Sequence, residues 1–468
     1  MITPFPRTRV AAAIGGILMM LGASQALAAG FALQENSGSG LGNAYAGGAA
    51  SAEDASTVWF NPAGMSRLPN QFVAAINGIG PSAKFSNGAS VLPAGQTTPA
   101  DNGGDAGSLA VVPNLYVVLP INKDWAFGLG VNAPFGLVTE YDDNFIGRFQ
   151  AVKSDVKTYN VNPALSYKFG GFSVGAGANY QHIKATFTSM ANYSGALLSA
   201  AATAGIAPGS PTFGAIAAST PNLQSGVNVT GSDDAWGWNV GMMYEVDKNL
   251  RWGAAYRSSI KYTVSGNVDF SNPSIPSTVP AALAPTVAAL AAGVNSKALY
   301  NSGVYANIEL PQMANISLFW SPNAKWDIMA DAQWTGWSSI PDLTFIRTDG
   351  TTLSSTPENF KDVWRFSVGT TYHYNDQWLF RAGVAYDQSP VQDQDRTPRL
   401  PDSDRTWLSF GTQYKMNNAW KFDVGATYIW IKDGSINNNG GNAAQYGLLN
   451  GTYNNNVVIV SGQATYSF

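Results

Sequence analysis

Cysteine is absent from the 468 residues, which excludes a disulfide framework, a thiolate metal site and a cysteine nucleophile together. Histidine occurs twice, too rarely to build a histidine-rich metal site. Charge is also scarce: Asp, Glu, Lys and Arg make up 12% of the chain, where a soluble globular chain averages about 25%. An ordinary cytoplasmic enzyme does not fit that composition. The formal net charge of -4 leaves no basic surplus for nucleic acid or an anionic surface. Long apolar runs are missing beyond the N-terminus, since the uncharged stretch 185–232 is broken by Gly and Pro and studded with Ser, Thr and Asn. If a membrane is crossed, helices do not cross it.

What is abundant is aromatic and small. Aromatic residues reach 12%, and 49 glycines stand beside 14 tryptophans and 20 tyrosines. Residues 1–28 read as a cleaved signal peptide, with Arg7 and Arg9 ahead of an apolar stretch from Val10 to Leu21 and the small-residue site Ala26-Leu27-Ala28. Its removal takes two arginines and no acids, so the net charge becomes more negative.

The dominant pattern in the remainder has period two. From Trp378 to Asp387 one face carries Trp378, Phe380, Ala382, Val384 and Tyr386, and the other Leu379, Arg381, Gly383, Ala385 and Asp387. Trp364 to Tyr374 and Trp420 to Trp430 repeat it. Alternation alone also suits a soluble sandwich. Aromatic residues at both ends of the apolar face, as in Trp420 and Trp430, point instead to the interfacial girdles of a membrane barrel. Short polar turns recur next to aromatics, including Asn122-Lys123-Asp124, Asp247-Lys248-Asn249, Pro322-Asn323-Ala324, Asn375-Asp376-Gln377 and Met416-Asn417-Asn418-Ala419; Gly170-Gly171 makes the sixth. Six tight turns with both termini on their side predict an all-β, antiparallel, 14-stranded transmembrane barrel, and the even count permits closure.

Residues 70–468 are thus assigned to the barrel and residues 29–69 to an N-terminal hatch inside it, because the latter segment neither alternates nor is long enough for its own core. The segments 191–234 and 270–303 are apolar extracellular loops, with one or two short helices between Ala281 and Val294. Loops so poor in charge either pack on each other or offer an apolar landing surface.

At this point the chain resembles the FadL-type outer-membrane transporters of long-chain fatty acids and other hydrophobic molecules. The resemblance is carried by Gly30-Phe31, by Ser39-Gly40-Leu41-Gly42-Asn43-Ala44-Tyr45-Ala46-Gly47, by Glu53-Asp54-Ala55, by Asn61-Pro62-Ala63, by Phe360-Lys361-Asp362, by Tyr386-Asp387-Gln388-Ser389-Pro390-Val391 and by Pro401-Asp402-Ser403-Asp404-Arg405. It implies a barrel plugged by the hatch, ligand capture on extracellular loops, a tighter site near Gly30 and Phe31, and a kinked third strand that opens the wall. The residues that fit the kink are Pro134, Phe135 and Gly136: proline cannot donate to a ladder and glycine tolerates unusual angles. Asn61, Pro62 and Ala63 anchor the far end of the hatch, with Asn61 a cap or turn former.

A fatty acid has a tail and a charged head. Each buried methylene contributes roughly 0.8 kcal/mol, so a dozen carbons supply on the order of 10 kcal/mol gross, while the carboxylate needs replacement donors. Strand parity sets Arg257, Lys261, Arg365, Arg381 and Arg405 on the lumen face, with Arg365, Asp387 and Arg405 at one level. Arg365, Asp387 and Arg405 are therefore candidate ligand residues, Asp387 and Arg405 also lying in family-like motifs, and Phe31 joins them as what the resemblance implies for the free end of the hatch. His182 and His373 lack a motif, so catalysis is not expected, nor are a metal or a cofactor. The expected function is passive uptake of long-chain fatty acids, released sideways into outer-membrane lipid. The alternative is uptake of monoaromatic or other hydrophobic hydrocarbons, and a general hydrophilic porin comes after it. The terminal strand ending in Phe468 suits recognition by the barrel assembly machinery, and a monomer is expected.

Overall fold

The computed structural model describes residues 30–468; the predicted signal peptide, its cleavage behind Ala28 and Ala29 lie outside them. The strands are β1 Gln71–Asn87, β2 Ala110–Pro120, β3 Trp125–Asn132, β4 Lys153–Phe169, β5 Phe172–Asn192, β6 Gln224–Glu245 and β7 Leu250–Arg257. They continue as β8 Met313–Asn323, β9 Trp326–Thr335, β10 Val363–His373, β11 Trp378–Asp387, β12 Arg405–Lys415, β13 Trp420–Ile431 and β14 Leu449–Ser467. Each pairs antiparallel with its neighbours, and β14 closes on β1 from Gln71↔Ser467 to Asn87↔Gly451. The result is the 14-stranded closed barrel that the period-two pattern implied. All six tight turns lie at one rim.

Burial is inverted relative to a soluble sheet. On β11, Phe380, Val384 and Tyr386 are exposed while Arg381, Gly383, Ala385 and Asp387 are buried, so the apolar face looks outward and the polar face lines the bore. Among the described residues no helix is long and apolar enough to span a membrane. Exposed Trp125, Trp252, Trp326, Trp378 and Trp420 ring the tight-turn end, and Trp236, Trp238, Trp364 and Trp430 the other, as interfacial girdles do.

Several staves are interrupted. β3 resumes at Gly136–Glu140, β7 at Ile260–Ser271 and β9 at Asp342–Arg347, and β8 is preceded by Ser302–Leu310. The break in β7 reverses its parity: Ile260 and Tyr262 turn inward, and Lys261, 78% exposed at its side chain and paired with Glu309, lies on the opposite face. Lys261 is therefore not a lumen residue, contrary to the parity argument.

The long apolar loops at the rim opposite the tight turns pack on each other. Helices α1 Tyr193–Thr203 and α2 Pro211–Ser219 from one meet α3 Ala284–Lys297 from the other through Leu197, Ala201, Ile216, Val287, Leu290 and Val294. Their missing charge is explained by that shared core.

The hatch fills the bore as short turns, Gly38–Leu41, Gly48–Ser51 and Thr57–Phe60, followed by a 3-10 helix Pro62–Arg67. Glycines on the lumen face make the close approach possible. A Cβ at Gly411 would stand 2.7 Å from Gly42 Cα, and one at Gly369 2.7 Å from Asn43 O, so a side chain at either position would push the hatch off the wall.

Candidate functional site

The wall opens where β3 breaks. Its ladder with β2 runs from Pro120↔Ala126 to Leu115↔Val131 and stops. The resumed segment pairs with β4 alone, from Gly136↔Lys157 to Glu140↔Lys153. Above the gap the Glu140 amide donates to Ala106 O at 3.1 Å. Residues 110–114 of β2 are thus left without a strand on that side. Proline explains the stop, since Pro134 has no amide to offer β2.

The edge that β2 leaves is taken by the hatch. Leu33 N donates to Pro134 O and Gly136 N to Phe31 O, both at 2.8 Å, and Ala32 bridges Phe135. Two residues on, the strap crosses to the other side of the gap: Glu35 O accepts from Asn77 Nδ2 at 2.8 Å and Asn114 Nδ2 at 2.7 Å. Asn132 Nδ2 donates to Asn36 Oδ1 at 2.7 Å. Residues 31–36 therefore stitch both margins of the opening from inside.

Phe31 is buried, edge-on to Phe135 at 5.9 Å and to Trp337 at 4.9 Å. Trp337 enters the bore from the interruption of β9, a position the alternation gave no reason to single out. Gly30 N donates to Asp402 Oδ2 at 2.9 Å.

Arg365, Asp387 and Arg405 are register partners on consecutive strands, Arg365↔Asp387 and Asp387↔Arg405, all buried at one level. Their donors are largely engaged. Arg405 Nε and Nη2 donate to Asp402 Oδ1 at 3.0 and 2.5 Å. Arg365 Nη2 donates to Ala44 O at 2.9 Å, and its guanidinium lies 4.9 Å from the Trp407 ring. Glu35, which sequence reasoning passed over, is buried in the strap. Desolvation pushes its carboxyl up to about 7, with its own backbone amide, Arg405 and Arg365 as smaller opposing effects.

Asn61, Pro62 and Ala63 sit at the other end of the hatch. Asn61 caps the 3-10 helix by accepting from Ala63 N at 3.0 Å, and its Nδ2 donates to Ala49 O and Met242 O at 2.7 and 2.9 Å. Arg257 covers Trp59 at 3.5 Å, and Arg381 pairs with Glu53 and, at 2.7 Å, with Asp423. These contacts hold the plug.

An apolar track leads in from the long-loop rim. A groove of about 300 Å³ under the packed loops is lined by Phe149, Phe187, Val229, Phe270, Phe345 and Tyr446, with the half-buried Arg399 beside Phe187 at 5.3 Å. Burial lowers the Arg399 guanidinium to about 10. Phe187, Val229 and Phe345 also line a small cavity with Val156, Ile183 and Ala185. Those last three belong to the apolar cluster that contains Phe31, Phe135 and Trp337. Groove, cavity and hatch tip form one line of apolar contacts.

Three comparisons bear on this arrangement. The family model described as outer membrane protein transport protein (OMPP1/FadL/TodX) matches residues 19–468. The long-chain fatty acid transport protein of Escherichia coli K12 is 34% identical over 445 residues, covering 93% of this chain and 91% of its own. Outer membrane protein P1 of Haemophilus influenzae is 30% identical, covering 84% and 83%. Among solved structures, a Pseudomonas aeruginosa FadL homologue superposes with a TM-score of 0.81 at 26% identity, over 94% of this chain and 100% of that one. The toluene transporter TodX of Pseudomonas putida shares the fold, with a TM-score of 0.63 at 18% identity over 88% and 94%. The chain belongs to this family of outer-membrane transport proteins, a barrel that carries hydrophobic substrates and is not an enzyme.

Proposed function

We propose that this chain takes up long-chain fatty acids, gathering them in the extracellular groove, holding them against Phe31 and releasing them sideways through the gap in β3. The observation that carries the reading is the apolar track, which ends at a wall opening and not at the far mouth of the barrel. An apolar tail gains nothing from crossing the hatch into water when hydrocarbon lies beyond the gap. The strap 31–36 covers that opening, so release requires it to move. Arg399 offers the groove one cation for a carboxylate, and Arg365 and Arg405 offer the lumen two more. The relatives named for fatty acid transport support the same substrate class.

A monoaromatic or other neutral hydrocarbon is the second reading, favoured by the engagement of Arg405 with Asp402 and of Arg365 with Ala44. Such a ligand needs no headgroup donor. The filled bore argues against a general hydrophilic porin. The terminal strand suits handling by the barrel assembly machinery, and the chain is expected to act as a monomer. Uptake of a labelled fatty acid and of toluene by cells whose only such transporter is this chain distinguishes the readings. Ohmic conductance in planar bilayers without either uptake would overturn both.

A further inference from the structure

The gap and the lumen make opposite demands on a carboxylic acid. Hydrocarbon rejects the ionised form, since an unpaired carboxylate out of water costs far more than a neutral acid. The rim of the gap rejects it too. Asn77 Nδ2 and Asn114 Nδ2 are spent on Glu35 O, whereas Asn77 Oδ1, Asn114 Oδ1 and Asn160 Oδ1 are buried with no partner among the described residues. The spare functions at the rim are acceptors. An acceptor-only carboxylate repels them, while a protonated acid donates its O–H to one of them. An acid that leaves by this route must therefore gain a proton while still inside.

We propose that Glu35 supplies that proton, passing it to the ligand carboxylate so that the acid crosses the strand-3 gap in neutral form. The inference rests on the fatty acid reading above. Three features of its position support it. Glu35 lies in the strap that spans the gap, its carbonyl oxygen held by Asn77 and Asn114 at the rim. Its Oε2 is buried with no partner among the described residues, as is Arg365 Nε. The charged groups whose fields reach its carboxyl are Arg405, Arg365 and Asp387, and Tyr45 is the neighbouring phenol within the hatch. Its upward displacement by burial keeps a proton available near neutral pH.

The step balances without a redox partner. The O–H bond of the Glu35 carboxyl breaks and an O–H bond forms on the ligand. The resulting Glu35 carboxylate faces two arginines, and water in the lumen later returns the proton. Asp387 also leaves Oδ2 without a partner among the described residues, but it is fixed on wall strand β11 and does not belong to the strap that spans the gap.

The test compares oleate with oleyl alcohol, which has the same tail and no acid, as transferred by the full chain into proteoliposomes. Glu35→Gln should leave alcohol transfer and oleate binding as they are, and lower oleate transfer about tenfold near pH 7.5, with recovery on acidification as the ligand protonates itself. A wild-type ratio of oleate to alcohol in Glu35→Gln would overturn the proton transfer alone. A wild-type chain that moves the alcohol and not oleate would remove the fatty acid reading and this proposal with it. Should Glu35→Gln fail to assemble, Glu35→Asp and Glu35→Ala decide: the oleate-to-alcohol ratio at about pH 7.5 stays high in the first and falls in the second if Glu35 donates, and equal ratios in the two overturn the idea.

Discussion

Phe31 and Trp337 meet edge to face, with ring centroids 4.9 Å apart and planes crossing at 63°. One ring is at the tip of the hatch and the other drops from the interruption in β9, so the free end of the plug is clamped by the wall opposite the gap. Trp337→Ala removes the clamp, and a truncation of that size in a closed core costs about 3–5 kcal/mol. The amides of Leu33 and Gly136, which hold the hatch to the kinked strand, should then exchange with deuterium much faster while the barrel ladders stay protected. Hydrogen exchange resolved by peptide checks this, and unchanged protection at Leu33 would show that Trp337 does not hold the tip.

Arg405 and Arg365 respond differently to removal. Arg405→Leu strands Asp402, whose other oxygen holds Gly30 N and Ser389 Oγ at 2.9 and 2.8 Å, and breaking a buried pair from one side costs roughly 3–5 kcal/mol. Uptake of acid and hydrocarbon should both fall, and Arg405→Leu with Asp402→Asn should recover the hydrocarbon. Arg365→Leu gives up one carbonyl contact and a ring contact, so it should impair fatty acid uptake selectively. Parallel uptake assays with oleate and toluene read out both expectations.

The barrel was legible because its two faces meet different solvents, which writes period two into the uninterrupted staves, and because Trp125, Trp378 and Trp420 mark where three of the turns end. The level shared by Arg365, Asp387 and Arg405 followed from the same register. Parity fails wherever a strand is interrupted: Ser258 and Ser259 turn Lys261 to the opposite face, and Gly336 delivers Trp337 into the bore. The partners of the hatch are a matter of tertiary contact, hundreds of positions apart in Gly30 and Asp402, and no local pattern announces them. Pro134 and Gly136 pointed to a break in β3, but not to the hatch strand that occupies its edge.

Glu358, buried in the loop before β10, is pushed up to about 8 by desolvation, with the Arg399 charge as a smaller opposing effect. Its folded value lies above its unfolded value of about 4.3. Stability from this group is therefore complete at acid pH and is lost as pH rises from the unfolded toward the folded value. The loop around Glu358 should become more sensitive to protease between about pH 5 and 8. Glu358→Gln should flatten that profile, which limited proteolysis across the range measures directly.

The exit itself can be tested at Pro134. Extending the register past Leu115↔Val131 would set residue 132 against Asn114 and residue 134 against Val112. Pro134→Val restores the missing amide, and Gly136→Val adds a branched side chain that favours the pleated strand. With β2 back on the edge, Phe31 and Leu33 lose their seats there. Uptake should stop while ligand binding and the heat stability of the barrel persist. A cysteine pair at 110 and 136, opposite each other in the extended register and leaving Pro134 in place, gives a reversible version of the same closure, and the chain contains no other cysteine to confuse it. Oxidation should stop uptake and reduction restore it. Transport that continues with the pair oxidised would move the exit to the periplasmic end, where the ligand would have to pass Asn61 and the body of the hatch.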